Sequence, residues 1–179
     1  MHAKLAPIPA FPRSRRKEFF RGISFKQDEA LHEYVMKWVT RERPKIDRIA
    51  CPWLIARFID QAPEFLFVPS QDVLRVAEQT GAIPYDIPDV ELSHVGERCS
   101  FDAFIEKYQL RESGLVQLAT IVRGADTSRL DLAPEAPGLY AISLGLSHRF
   151  SDDHEMLRHG MVMYDALYAW CLHCQSEPR

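Results

Sequence analysis

The sequence has no apolar run that approaches the ~18 residues of a membrane-spanning helix, and its first 24 residues lack the continuous apolar segment of a secretory signal. Cysteine is scarce, with four in 179 residues. In a chain without a secretory signal, these are expected to be reduced thiols rather than a disulfide framework. Internal repeats and low-complexity segments are also absent. These absences predict a cytoplasmic protein that does not span a membrane.

Positive charge is concentrated in residues 1–24, which carry six basic residues against Glu18 and include three prolines. These residues are predicted to form a flexible basic arm. Such an arm could contact nucleic acid by releasing counterions from phosphates, although a solvated tail is the commoner role and no helix-turn-helix pattern follows. The whole chain has a net charge of −3, so the remainder carries about −8 and would repel a DNA backbone.

Residues 25–179 are predicted to form one domain, because a 46% hydrophobic composition allows a chain of this length to bury a single core. In its first half, apolar periodicity and proline positions mark the elements. The elements predicted there are a helix over residues 26–41, a buried helix from Cys51, a strand over 65–68, a helix from Ser70 to Gly81, and short strands over 82–87 and 90–95.

The second half is predicted to be almost wholly helical. Its predicted helices cover residues 101–108, 113–123, 137–146 and 152–174, with Gly124 as the stop of the second. The fold class that follows is a helix-rich α/β domain, in which a small sheet of short strands in the first half is packed by helices that dominate the second.

The segment around Arg48 and Cys51 places a guanidinium and a thiol at a predicted helix start, where backbone N–H groups favour an anion. Arg48 and Cys51 are therefore candidate oxyanion-binding residues, and Arg123, near the C-terminal end of another predicted helix, is a third candidate. Cys51 and Arg57 also match the spacing of phosphatase-type loops, which makes Cys51 a candidate nucleophile. The residues between them lack glycine and include Pro52, however, so a buried structural thiol is the favoured interpretation.

Five side chains that can bind metals occur within twelve residues beside a predicted strand end, namely Glu91, His94, Glu97, Cys99 and Asp102. Imidazole, carboxylate and thiolate are the ligands of zinc, iron and manganese sites. His94 is the leading candidate ligand, although charged loop residues are commonly just solvated. Asp126 could supply a further carboxylate or cap a turn. Asp165 lies among apolar neighbours in a predicted helix, where its charge needs a partner such as an arginine or a metal.

Six blocks of sequence, taken in order, resemble the C-terminal domain of the chromate resistance protein ChrB. They are DRIACPWLI (47–55), RFID (57–60), CSF (99–101), IVRGADT (121–127), SLGLS (143–147) and YDALYAWC (164–171). The resemblance spans about residues 38–171 and implies a role in chromate resistance. It also implies kinship with longer members that act as chromate-responsive regulators of an efflux operon. Those members carry a further N-terminal region associated with DNA binding, whereas this chain has a short basic arm.

The leading hypothesis is a chromate-resistance protein that binds a divalent metal (zinc, iron or manganese) or an oxyanion such as chromate, as a sensor or accessory factor. Its metal ligands would be His94, Asp126 and Asp165. A thiol- or metal-dependent redox enzyme acting on chromate is the first alternative, and a transcriptional regulator of a chromate efflux operon is the second. The partners expected are the oxyanion and a second copy of the chain in a homodimer, with nucleic acid less favoured.

Overall fold

A computed structural model describes residues 35–174 of the chain. Its helices, strands and turns all lie within that range. They are β1 (Lys37–Arg41), α1 (Asp47–Leu54), a π-helical segment (Ile55–Ile59), β2 (Glu64–Val68), a 3-10 turn (Ser70–Asp72), α2 (Val73–Thr80), β3 (Ile83–Pro84), α3 (Ser100–Lys107), α4 (Leu115–Asp126), a second 3-10 turn (Leu130–Leu132), α5 (Ala136–Arg149) and α6 (Asp153–His173). The predicted basic arm, residues 1–24, lies outside the described residues.

The three strands form one parallel sheet in the order β2-β1-β3. Both faces of the central strand are covered, since Trp38 packs in the main core and Val39 in a smaller cluster with Val73 of α2. The main core joins the other face of the sheet to the helices of the second half. The predicted fold class, a helix-rich α/β domain with an early small sheet, is confirmed. Over residues 35–174, no helix is both long and apolar enough to cross a membrane.

The helix predicted over residues 26–41 is wrong where the structure describes it, because residues 37–41 form the central strand. Trp38, Val39 and Thr40 are all fully buried, and aromatic and β-branched side chains suit a strand covered on both faces. Such a strand has no alternation of polar and apolar residues, so the spacing of its apolar residues is also compatible with a helix. Residues 26–34 lie outside the described part of the chain.

Two other predictions are wrong, namely the strand over residues 90–95 and the helix stop at Gly124. Residues 90–95 form no strand, and Val95 makes only an isolated bridge to Arg98. Gly124 does not end its helix but lies inside α4, where a Cβ atom would come within 3.0 Å of Ala136 Cβ and of the Arg129 carbonyl. This glycine therefore permits a close approach of the chain entering α5. The strand over 65–68 and the helices of the second half are confirmed, with shifts at their ends.

Helix α1 begins at Asp47, four residues earlier than predicted, so that Pro52 lies inside the helix. A π-helical segment follows directly, and such widened turns are a common response to an interrupted hydrogen-bond ladder. The residue before the helix, Ile46, has a φ of 39°. That value is costly for a β-branched residue and is found where the surrounding structure imposes it. Here the buried Tyr164 hydroxyl of α6 donates a hydrogen bond to the Ile46 carbonyl at 3.0 Å.

Candidate functional site

A cluster of acidic residues and one histidine lies at the carboxyl edge of the sheet, where the chain leaves β1 toward β2 on one side and β3 lies on the other. In open parallel sheets, this change of direction creates a crevice that commonly holds the ligand. Asp47 follows β1 in the first turn of α1, and Asp86 follows β3. Thr40 of β1 donates a buried hydrogen bond to the Tyr85 carbonyl at 2.8 Å, which fixes the two strand ends together.

His94 is the centre of this cluster. It lies in the long segment between β3 and α3, and its Nε2 is 3.1 Å from Asp126 Oδ2, 3.2 Å from Asp47 Oδ2 and 3.3 Å from Asp86 Oδ1. Hydrogen bonds to Asp126, Asp47 and Asp86 raise the pKa of the imidazole to about 12. The His94 side chain is 40% exposed, so the cluster opens to solvent on the histidine side and is closed on the side of the sheet.

Asp47 is the buried floor of the cluster. Its Oδ2 accepts the backbone N–H of Ser100 at 3.3 Å, which ties it to the start of α3. Burial, together with the nearby charges of Asp86 and Asp126, raises the pKa of the Asp47 carboxyl to about 7, against the lowering effect of His94. A buried carboxylate with this raised pKa is stabilised by any cation that reaches it.

The negative charge of Asp86 is better compensated than that of Asp47. Its Oδ2 lies 2.6 Å from Arg41 Nη2 and 3.1 Å from Arg48 Nε, and its Oδ1 accepts the Ser100 hydroxyl at 3.0 Å. Burial acts to raise the pKa of this carboxyl, but hydrogen bonds from His94 and Arg41 hold it below its usual value. Asp86 therefore stays ionised and presents a fixed negative charge to the crevice.

The cluster contains two sets of three donor residues. Within each set, the three ligand atoms lie within 4.8 Å of one another, close enough to hold one metal ion. The first, here called the nitrogen triad, is Asp47, Asp86 and His94. The second, here called the sulfur triad, is Asp47, Cys99 and Asp126. Asp47 belongs to both triads. Carboxylate, imidazole and thiolate together suit a borderline transition metal better than magnesium or calcium, which take oxygen ligands.

The family model of the ChrB C-terminal domain matches residues 38–171 of this chain. The chain belongs to the ChrB family. A ChrB-family relative, Protein ChrB of Cupriavidus metallidurans, is 32% identical over 133 residues, which cover 74% of this chain and 40% of the relative. The chain thus spans less than half the length of that relative. No solved structure gives a significant match. Both triads lie within the part of the chain that matches the ChrB family.

The predicted oxyanion residues of this ChrB-family chain are only partly brought together. Arg48 lies at the site, but its guanidinium is occupied by Asp86 and by the carbonyls of Arg41 and Glu42, at 3.4 and 3.1 Å. Arg123 lies in the last turns of α4, with its Nε 3.8 Å from Asp102 Oδ2. Whether either arginine binds an oxyanion stays a prediction.

The two thiols near the site are buried. Burial, first of all, and the charge of Asp47 raise the pKa of Cys51 well above its usual value, and the same two causes raise that of Cys99. A nucleophilic cysteine needs a stabilised thiolate at an accessible position. Cys51 therefore has the environment of a structural thiol, which the sequence analysis favoured. Cys99 differs because it precedes α3 and its Sγ points toward carboxylates, with Asp102 Oδ2 at 3.6 Å.

Asp165 lies in a different place from the other predicted metal ligands and belongs to neither triad. Its two oxygens accept hydrogen bonds from Arg57, at 2.9 Å from Nε and 2.7 Å from Nη2, and Trp53 Nε1 donates at 2.8 Å. The partner that a carboxylate on this helix requires is therefore an arginine. The salt bridge joins α6 to the π-helical segment.

Sequence reasoning overlooked Asp47 and Asp86 as ligands. Asp47 stands in the sequence block DRIACPWLI (47–55), and Asp86 lies in the segment predicted as a strand over residues 82–87. Both positions follow the carboxyl end of a parallel strand, which is the signal that could have found them. That signal was hidden because β1 was predicted as a helix.

Proposed function

We propose that this ChrB-family chain acts in chromate resistance as a sensor or accessory protein that binds a divalent metal ion through the nitrogen triad. Membership of the ChrB family associates the chain with chromate resistance. The observation that carries the metal is the convergence of Asp47, Asp86 and His94 from three separate segments on one crevice of the sheet.

The spacing of the donors supports direct coordination. Donors about 2.0–2.2 Å from a tetrahedral zinc ion are roughly 3.3–3.6 Å from one another. His94 Nε2 lies 3.2 and 3.3 Å from the oxygens of Asp47 and Asp86. A metal ion can therefore replace the proton on Nε2 with small movements of the side chains. Ser100 donates to both Asp47 and Asp86, and Arg41 and Arg48 hold Asp86, which are the supporting contacts that metal ligands usually have.

The charge of the site favours a cation over a bare oxyanion. Asp47, Asp86 and Asp126 surround His94, while Arg41 and Arg48 are already paired with Asp86. The imidazolium and the two arginines already pair with these carboxylates, so a dianion that approached this cluster alone would have to displace a carboxylate to reach them. Chromate would instead bind at the solvent side of His94, after a metal ion has made the crevice positive. Chromate binding is accordingly proposed to depend on the metal.

Elemental analysis of freshly purified protein, followed by calorimetric titration of the metal-free protein with zinc, iron(II) or manganese, tests this function. The expected result is a stoichiometric metal and loss of its tight binding in His94→Ala. His148→Ala is the matched control, since His148 is an exposed histidine on α5. A protein that takes up no stoichiometric metal in either experiment would overturn the proposal.

The same calorimetry tests the role of chromate. Chromate is titrated into the metal-loaded and the metal-free protein under otherwise equal conditions. Binding to the metal-loaded form alone is expected. Equal binding to both forms, unchanged in His94→Ala, would separate chromate from the metal centre.

A further inference from the structure

Cys99 lies beside the metal centre, yet the proposed function does not use it. Its Sγ and one carboxylate oxygen from each of Asp47 and Asp126 lie within 4.8 Å of one another, and this sulfur triad shares Asp47 with the nitrogen triad. The other members differ, so each triad offers a donor set that could hold an ion of its own. Asp47 and Cys99 are buried, and Asp126 is partly buried, which separates this group from ordinary exposed acidic clusters.

The distribution of charge points to a second cation independently of the spacing. Asp86 pairs with Arg41 and Arg48 as well as with His94. The ion pair of Asp126 in the described part of the chain is with His94 Nε2, and Arg123 on the same helix faces Asp102 instead. When His94 Nε2 coordinates a metal ion in the nitrogen triad, it no longer carries the proton that makes it the cationic partner of Asp126.

We propose that the sulfur triad is a second metal position and that the protein holds two divalent ions bridged by Asp47. This inference rests on the proposed function, because the first ion occupies the nitrogen triad. The second ion forms a metal–sulfur bond to Cys99, and the thiol proton leaves to solvent, with no change of oxidation state. Paired ions that share a ligand are typically about 3.5–4 Å apart. The sulfur ligand selects a thiophilic cation such as zinc, cobalt or iron(II) for this position.

Titration of the metal-free full chain with cobalt(II) alone, in the presence of a reductant, tests the second position. Two equivalents are expected, one of which produces the near-ultraviolet charge-transfer band of a thiolate–cobalt bond. Cys99→Ser should lose the band and one equivalent. His94→Ala should keep the band and lose the other equivalent. Cys174→Ser is the matched control, because Cys174 is a half-buried thiol at the far end of α6 and should change neither quantity.

The outcomes separate this inference from the proposed function. Binding of no cobalt overturns both. One equivalent without the thiolate band overturns the second position and leaves the proposed function standing. One equivalent that shows the band also overturns the second metal position, because a single ion would then take ligands from both triads. A band that survives Cys99→Ser and disappears in Cys51→Ser would show that Cys51, not Cys99, is the sulfur ligand. That result overturns the sulfur triad as the second position. The first titration uses the unaltered protein and depends on no variant folding.

Discussion

His94 Nε2 lies 3.1 Å from Asp126 Oδ2, although one residue belongs to the segment before α3 and the other to the last turn of α4. This contact joins the two halves of the domain across the carboxyl edge of the sheet. The imidazole is the cation that Asp47, Asp86 and Asp126 have in common. Under the proposed function, a metal ion and a proton would compete for this one nitrogen atom.

The pKa of His94 should depend on Asp126 in metal-free protein. The hydrogen bond to Asp126 is the largest of the causes that raise the pKa of His94 to about 12. Asp126→Asn removes that charge, so the imidazole should release its proton at lower pH than in the unaltered protein. Nitrogen NMR of the histidine rings, recorded across a pH series in chelator, measures the change. Asp89→Asn, in the same segment but outside both triads, should leave the titration unchanged.

Metal should stabilise the folded protein, and the stabilisation should depend on Asp47. An ion that binds the native state alone adds about 2.7 kcal/mol at a free concentration of 100 times its Kd. Asp47→Asn should abolish most of this gain, because Asp47 belongs to both triads. Without metal, the same variant should be no less stable than the parent. Burial disfavours the ionised form of the Asp47 carboxyl, and the variant removes that charge.

Thermal unfolding with and without added zinc measures both quantities for Asp47→Asn. Asp89→Asn again serves as the control and should keep the full metal-dependent rise in Tm. A zinc-dependent rise of equal size in Asp47→Asn and in the parent would contradict the assignment of Asp47.

Gly160 of α6 should be required for the position of α1. A Cβ atom at Gly160 would overlap the side chain of Ile49, which lies two residues after Asp47. Gly160→Ala should therefore destabilise the protein by about 1–3 kcal/mol, as overpacking of a core does. Gly145→Ala on α5 has open space around the added methyl group and should stabilise by about 0.5–1 kcal/mol through lower backbone entropy. Chemical denaturation of the two variants checks the opposite signs, and similar effects of both would argue against close packing of the helices.

The Asp165–Arg57 salt bridge should make a pH-dependent contribution to stability. Burial acts to raise the pKa of Asp165, but hydrogen bonds from Arg57 and Trp53 hold it below its usual value. A carboxyl with a lowered folded-state pKa stabilises the protein above its unfolded-state pKa and loses that contribution as the pH falls through the folded-state value. Asp165→Asn should therefore cost about 0.5–1 kcal/mol near neutral pH, since solvent screens a carboxylate that is 33% exposed.

Paired Tm measurements of Asp165→Asn and its parent between neutral and acid pH test this contribution. The difference in Tm should shrink once the pH falls below the ordinary value of 3.8 for an aspartate. A difference that stays constant over the whole pH range would mean that the charge of Asp165 does not matter.

Cys51 should resist modification in the native protein. It is fully buried, and its pKa is raised well above the usual value by burial and by Asp47. Cys174 is partly exposed and provides the internal comparison. Alkylation in native buffer, followed by mass spectrometry, should label Cys174 before Cys51, and denaturant should remove the difference. Rapid labelling of native Cys51 would favour the thiol-based redox enzyme instead.

Several local features were predictable from the sequence. Residues 65–68 lie between two prolines and form most of β2, and the helices predicted over 101–108, 113–123, 137–146 and 152–174 are present with shifted ends. His94 and Asp126 were expected at a polar site, and the structure brings them together. The strand and the helices are predictable because strand propensity and helical periodicity are properties of short segments, whereas metal binding by His94 and Asp126 stays a prediction.

The amino-acid sequence by itself determined the ChrB relationship, the helix-rich composition of the domain and the type of donor at His94 and Asp126. Only the tertiary structure decided that residues 37–41 form a central strand, because that strand depends on pairing with β2 and β3. The same pairing brings Asp47 and Asp86 to one edge of the sheet. The packing of α6 against the π-helical segment places Asp165 where it forms a salt bridge with Arg57. Contacts between residues far apart in the chain leave no periodic pattern in either segment, so the site could be assembled only once the strands and helices were in place.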